Sequence, residues 1–519
     1  MTEERVTERM GEDRGAGSDP AGEDLVRGGP AAPPGPRPAP GARSGPARRT
    51  LTGRDLGHLA VALIVLLCGA TLLLGYLNKD RCAGPSYDHL GRTVGFLQRA
   101  DKDVCYSDIQ YLWVGRDINE HVFPYLHGGI DASGQLFGGT VEYPVLTGLL
   151  MWLGALFAHN DHQFLLDSSL LLAPFALVTA WMLAKMARWR ALAWAIGPPL
   201  VLYAFHNWDL AVAACAVAAA YVAHRGWGRA GPGTPLVRRA VVAGVFLGLG
   251  FAFKLYPIVF TLPLMLYVGT GGESGRELPP GRRRITGAVW VAVSTAVTAI
   301  VVNLPFMLFG YAGWRASFTF QEDRSVDITT NSVWFWAFRP YSDPSDKPFQ
   351  ELVDLLSPTL ILAAFALAVG LGWLRYRREG SYPWIGVSAA MLCGFLLFHK
   401  VHSPQYTLWL VPMFCLLRIR WGWVLAYFAA DAAMGVGIFR YYYAITYGKP
   451  YGIYDGFAEQ ATVIGVWGRA VLLVGLFFAF LAADPVTSGP RGAAVTTPGS
   501  TRAWWLRRPL PPGRPSPQG

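Results

Sequence analysis

Charge is scarce in this sequence: Asp, Glu, Lys and Arg make up 15% of its 519 residues, against 52% for the hydrophobic types. With a mean hydropathy of +0.29 and repeated apolar runs near membrane-spanning length, the chain reads as a polytopic helical membrane protein. Also missing are a Walker loop, a dinucleotide fingerprint, zinc-finger spacing and a nucleophile elbow. No evident motif therefore binds a soluble nucleotide donor. Cysteine is sparse too. Cys68, Cys215, Cys393 and Cys415 lie within apolar segments, while Cys82 and Cys105 share one polar loop. A disulfide is permitted there if that loop is extracytoplasmic. No convincing internal repeat is visible. A cleaved signal peptide is not expected, because the first apolar run begins near Leu56 and is too long for a signal core.

What is present is organised by arginine and proline. The formal charge of +10 resides in short loops between apolar segments, which points to positive-inside topology and not to nucleic acid. Residues 1–50 and 484–519 read as disordered cytoplasmic tails flanking a transmembrane domain over 51–483. Twelve spans are predicted, at 56–77, 164–187, 191–206, 209–224, 238–254, 256–269, 286–309, 358–375, 383–398, 406–418, 421–440 and 463–482. The stretch 141–158 is apolar enough to be a thirteenth. If it crossed, sixteen basic residues would move outside: Lys185, Arg188 and Arg190, and the later clusters at 225–239, 276–284, 375–378 and 418–420. The expectation is that it lies along the interface. The polar turns at 206–209, 254–255 and 399–405 then share the outer face with two long loops, 79–163 and 310–357.

Charged groups at membrane depth cost roughly 2.5–3.5 kcal/mol each on insertion scales, so they usually face a site and not lipid. Asp108 follows the first span; its carboxylate suits a general base, with a helix-capping role as the alternative. Glu142, in Glu142-Tyr143-Pro144, suits orienting a substrate hydroxyl, or merely opens an amphipathic helix. Lys254 and Lys400 each end an apolar run and precede a Pro by three or four residues; they suit a phosphate at headgroup level, or snorkel to the interface. Asn207 and Asp209 fit a binding turn or a tight hairpin. His399 and His402 are acid–base groups, metal ligands or structural histidines, and an H-x-x-H pair is weak evidence for metal.

Taken in order, Tyr106-Ser107-Asp108-Ile109, Glu142-Tyr143-Pro144-Val145-Leu146, Phe253-Lys254-Leu255-Tyr256-Pro257 and Lys400-Val401-His402-Ser403-Pro404-Gln405-Tyr406 resemble the membrane-embedded GT-C glycosyltransferases. More narrowly, they resemble bacterial family 87 mannosyltransferase-like proteins, with echoes of the eukaryotic enzyme adding the first mannose to the glycosylphosphatidylinositol precursor. The resemblance covers roughly 100–410. It implies an all-α GT-C-like bundle of about 12 transmembrane helices, whose long first outer loop carries an interfacial helix and the essential aspartate. It further implies an inverting transfer of a sugar, most readily mannose, from a polyprenyl-phosphate sugar donor to an extracytoplasmic lipid or glycan acceptor. By position Asp108 is the implied base; Lys254, Lys400 and Arg324 the implied phosphate partners; and His402 and Gln405 the implied donor-positioning residues. Glu142, Asn207, Asp209, Tyr256 and His399 complete the expected substrate site. The related eukaryotic pattern has a second acid where this chain has Gln110, so a single base without metal or soluble cofactor is expected. The rival reading is a transporter or lipid flippase. Such proteins tend to carry repeats and midplane polar groups, neither of which is visible here.

Overall fold

In the computed structural model the described residues are 53–224, 235–339 and 342–486. The N-terminal tail, residues 487–519 of the C-terminal one, and Arg225 and Arg229 lie outside them. Those described belong to the compact unit that begins at Thr52.

The first helix, α1 (Gly53–Asp80), is followed by the short α2 (Phe96–Asp103) and α3 (Asp108–Gly115), a two-stranded ribbon pairing Gly129–Ile130 with Leu136–Phe137, and α4 (Val145–Ala155). The chain then runs back and forth as α5 (Asp161–Ala187), α6 (Leu192–Ala195), α7 (Pro198–Tyr203), α8 (Asp209–Ala223), α9 (Leu236–Phe253), α10 (Thr261–Gly269) and α11 (Arg282–Phe309). A second outer segment holds α12 (Tyr311–Glu322) and α13 (Val333–Ala337). The bundle closes with α14 (Lys347–Glu379), α15 (Trp384–Phe398), α16 (Thr407–Leu416), α17 (Trp421–Thr446) and α18 (Phe457–Ala482).

Among the described residues, α1, α5, α9, α11, α14, α17 and α18 are long and apolar enough to cross a membrane. The chain is an all-α polytopic membrane protein. Its helices sort by exposure. α11 and α14 leave most of their apolar surface uncovered, as helices facing lipid tails can. α8 and α15, of 15 residues each, and α16, of ten, are buried nearly all round. A helix apolar on every face belongs in the interior. One walled by protein need not match the roughly 30 Å of hydrocarbon alone.

The twelve expected segments recur as helical stretches, seven of the helices among the described residues being long enough to cross, and one segment needs correction. The segment 191–206 is not a single helix, because Gly197-Pro198-Pro199 interrupts it. Proline has no N–H for the i−4 carbonyl, so α6 stops and α7 restarts with Pro198 at its first position. The uncertain stretch 141–158 contains only α4, eleven residues, or about 16 Å at 1.5 Å per residue. That is roughly half the hydrocarbon thickness. Pro144 caps its start in extended backbone, and Asn160 then opens α5 by accepting from the Gln163 N–H.

Arginines gather where the helices end away from the polar turns. Arg239 donates to the Ala223 carbonyl and pairs with Glu277, Arg190 donates to the Phe414 and Ile419 carbonyls, and Arg375 pairs with Asp484 at 2.6 Å. Residues 484–486 are drawn into this end, with Pro485 bridged to Leu417. The disulfide left open by the sequence is formed, joining Cys82 to Cys105; the other four cysteines are free and buried.

Candidate active site

The turns at 206–209, 254–255 and 399–406 converge with the start of α3. Asp108 opens α3 but does not cap it. Ser107 holds the capping position and spends its hydroxyl on the Phe205 carbonyl, 2.6 Å away. The Asp108 N–H donates to the His206 carbonyl at 2.8 Å. Its carboxylate receives the Tyr106 hydroxyl on Oδ1 at 2.9 Å and the Asn207 amide on Oδ2 at 2.8 Å. One donor on each oxygen leaves acceptor capacity free. The residue is half-buried, so a hydroxyl from outside can reach it. Burial raises the Asp108 pKa above the ordinary carboxylate value; the Asn207 and Tyr106 hydrogen bonds and the Lys254 charge oppose this, and Glu142 adds to it. A carboxylate of raised basicity, held in one orientation and open on one side, is equipped to take a proton.

Asn207 is fully engaged. Its amide nitrogen also donates to the Tyr143 hydroxyl at 2.7 Å, and its oxygen accepts from the Trp208 N–H at 2.7 Å. It ties the Asp108 carboxylate to Tyr143. Asp209, at the start of α8, is paired with Lys254, the residue capping α9, through Nζ contacts of 2.8 and 3.0 Å. Trp409 of α16 adds its indole N–H to Asp209 at 2.6 Å. The Lys254 ammonium lies 5.2–5.6 Å from the ring centroids of Tyr406, Trp409 and Tyr143, a cage whose π faces favour a cation. Tyr256 stacks on Trp409 at 4.4 Å and so forms the cage's outer layer. Glu142 takes a two-point contact from Arg116, at 2.8 and 3.3 Å. The Gln321 amide holds its carbonyl.

The remaining predicted residues have other partners. Lys400 pairs with Asp354 of α14 at 2.6 Å and donates to the Glu322 carbonyl. Arg324 reaches Thr329 at 3.5 Å and has no carboxylate partner among the described residues. Its charge, with that of Lys400, acts on His399, whose pKa burial pulls down to about 4. His399 packs on Phe395, which in turn lies 6.3 Å from Trp409. His402 faces inward: Nδ1 meets the Leu396 carbonyl at 3.2 Å and Nε2 meets Arg469 at 2.8 Å. Arg469 also reaches Asp431, which receives the Thr407 hydroxyl at 2.5 Å. Gln405 is buried with its side-chain oxygen unpartnered, and Gln110 is buried with both amide atoms unpartnered. Among the described residues no group of three or more His, Cys, Asp or Glu is arranged to hold a metal ion. The sequence reading missed Tyr106, Tyr143, Tyr406, Trp409 and Arg116. The tyrosines sat inside quoted motifs, whereas Trp409 looked like one more apolar residue of a span.

The profile of glycosyltransferase family 87 matches residues 141–404, just over half of the chain. The chain belongs to glycosyltransferase family 87. The matched region runs from the residue before Glu142 to Pro404, taking in the Asn207–Asp209 and Lys254 turns but not Asp108. Similar curated proteins include GPI mannosyltransferase 1 of Trypanosoma brucei brucei, 28% identical over 185 residues, covering 35% of this chain and 41% of that protein. The same enzyme of Saccharomyces cerevisiae is 24% identical over 188 residues, covering 36% and 45%. The chain therefore spans less than half the length of these relatives. Among solved structures, ArnT from Cupriavidus metallidurans in the apo state aligns over 82% of this chain and 77% of its own, with 14% identity and a TM-score of 0.36. Its complex with undecaprenyl phosphate gives 0.32. These likenesses are too loose to locate any residue.

Proposed function

We propose that this transferase is a GT-C-type enzyme that moves a hexose, mannose in our reading, from a polyprenyl monophosphate to an extracytoplasmic lipid or glycan acceptor, with inversion. The observation carrying the reading is Asp108: a half-buried carboxylate with one oxygen on Tyr106 and the other on Asn207, beside the caged Lys254–Asp209 pair. In the proposed reaction Asp108 takes the proton of the acceptor hydroxyl. The acceptor oxygen attacks the anomeric carbon from the face opposite the phosphate, the carbon–oxygen bond to phosphate breaks, and its electrons leave with the polyprenyl phosphate. Lys254, Lys400 and Arg324 supply the positive charge that favours this leaving group. Arg324 supplies it without a competing carboxylate.

The kinship to GPI mannosyltransferases supports mannose as the sugar and a lipid-carried glycan as the class of acceptor. Incubating purified protein with polyprenyl-phosphate mannose and an envelope lipid extract should release polyprenyl phosphate and yield a product one hexose heavier by mass spectrometry. Transfer from a nucleotide sugar alone would overturn the reading. The separation of polar turns from the arginine-rich end supports a plasma-membrane orientation with both termini cytoplasmic and the site outside. A single cysteine replacing His162 should be labelled by an impermeant maleimide in intact cells, and one replacing Gly226 should not. The reverse pattern would invert the orientation.

A further inference from the structure

The last turn of α1 carries a lysine that the reaction above does not use. Lys79 is 2% exposed, and burying an ammonium is costly unless something compensates it. No carboxylate among the described residues lies within ion-pairing distance of it. Its neighbour Asp80 is engaged by His162 at 2.8 Å and by the Tyr76 hydroxyl. The Lys79 amine donates instead to the Tyr106 carbonyl at 2.6 Å.

Three ties run from residues 79–82, at the end of α1, to the backbone segment 103–106. Arg81 donates to the Asp103 carbonyl, Cys82 is bonded to Cys105, and Lys79 holds Tyr106. Tyr106 is then wedged against Phe439 of α17 at 5.4 Å and the His206 ring at 5.5 Å, and its hydroxyl donates to Asp108. Two residues further on, the Asp108 backbone is fixed from the other side by the His206 carbonyl.

We propose that Lys79 is a positioning residue for Asp108, anchoring the Tyr106 backbone so that the Tyr106 hydroxyl presents the carboxylate to the acceptor. This rests on reading Asp108 as the base. The other charged or titratable groups facing this region are Arg81 and His206 beside Lys79, and Tyr106, Tyr143, Glu142, Asp209 and Lys254 beside Asp108. Of these, His206 also hydrogen-bonds the Tyr106 backbone, and Lys79 supplies the tie from an amine on α1.

The test is Lys79→Met, which keeps length and apolar bulk without charge or donor. A small displacement of a reacting group costs on the order of 10²-fold, so kcat should fall by about that much with donor KM nearly unchanged. The acid limb of the pH–rate profile should move to higher pH, since a displaced Tyr106 hydroxyl no longer favours the ionised Asp108 carboxylate. Lys79→Arg should recover much of kcat and return the limb. A folded Lys79→Met with wild-type kcat and an unmoved limb overturns the proposal. If Lys79→Met does not fold, Tyr106→Phe decides, because it removes only the hydroxyl link. A lower kcat with a displaced limb supports the relay, and a wild-type profile overturns it. An active Asp108→Asn would fell the assignment of the base, whereas an inactive Asp108→Asn beside a wild-type-like Lys79→Met fells this inference alone.

Discussion

Asp108→Asn should abolish transfer, lowering kcat by about 10²–10⁴-fold, the range a positioned general base contributes, while leaving the protein folded and able to bind its donor. The substitution is well matched to the geometry. The capping position of α3 belongs to Ser107 and not to residue 108, so Asn at 108 removes no cap, and an amide oxygen can still accept the Tyr106 hydroxyl or the Asn207 amide. What it cannot do is take a proton. The wild-type pH dependence should carry the same signature. Burial holds the Asp108 pKa above the ordinary carboxylate value, and the base works only when ionised. Activity is therefore full above that raised pKa and is lost as pH falls through it, so the acid limb should lie above the pH at which an unperturbed aspartate, near 3.9, would titrate. Near-wild-type turnover by purified Asp108→Asn on a polyprenyl-phosphate sugar would move the role to another group. Glu142, with its two-point Arg116 contact, is the next candidate.

The architecture was legible because lipid imposes a coarse rule: apolar runs, arginine-rich loops and proline breaks mark helix ends directly. That rule set the end of α9 at Lys254 and the brevity of the segment around α4. It failed at 191–206, where apolar composition outweighed Gly197-Pro198-Pro199 in the reading but not in the backbone. The site was legible only as turns. That Asn207 faces Asp108, and Asp209 faces Lys254, depends on which helices are neighbours, and neither residue's own sequence surroundings encode that. The pairing of Lys254 with Lys400 was drawn from similar local patterns. The structure gives each its own carboxylate, Asp354 of α14 for Lys400 and Asp209 of α8 for Lys254. His402 shows the same limit. Its motif resembles a donor-binding turn, yet its ring is turned into the Arg469–Asp431 network between α17 and α18. Trp409 was invisible because its indole N–H, the part that matters, is a single polar atom in an apolar helix.

Lys254→Met should be the most destabilising single change in the site, by about 3–5 kcal/mol, the cost typical of removing one partner from a buried ion pair. The side chains are 15% exposed for Lys254 and fully buried for Asp209. The variant would therefore strand an aspartate whose described side-chain donor is then the Trp409 indole. The double variant Lys254→Met/Asp209→Asn removes the stranded charge, and should recover most of the lost thermal stability in detergent. Activity should not follow. If the caged ammonium also favours the leaving phosphate, the double variant stays impaired toward the polyprenyl-phosphate donor, and Lys254→Arg, which keeps the charge, retains more donor use than Lys254→Ala. The comparison separates two roles that the ion pair superimposes. Stability depends on Lys254 and Asp209 cancelling each other, whereas transfer depends on a cation remaining when phosphate arrives. A double variant that regains stability and wild-type donor use together would mean that Lys254 serves only Asp209, leaving Arg324, which has no such partner among the described residues, as the cation to which the phosphate role would pass.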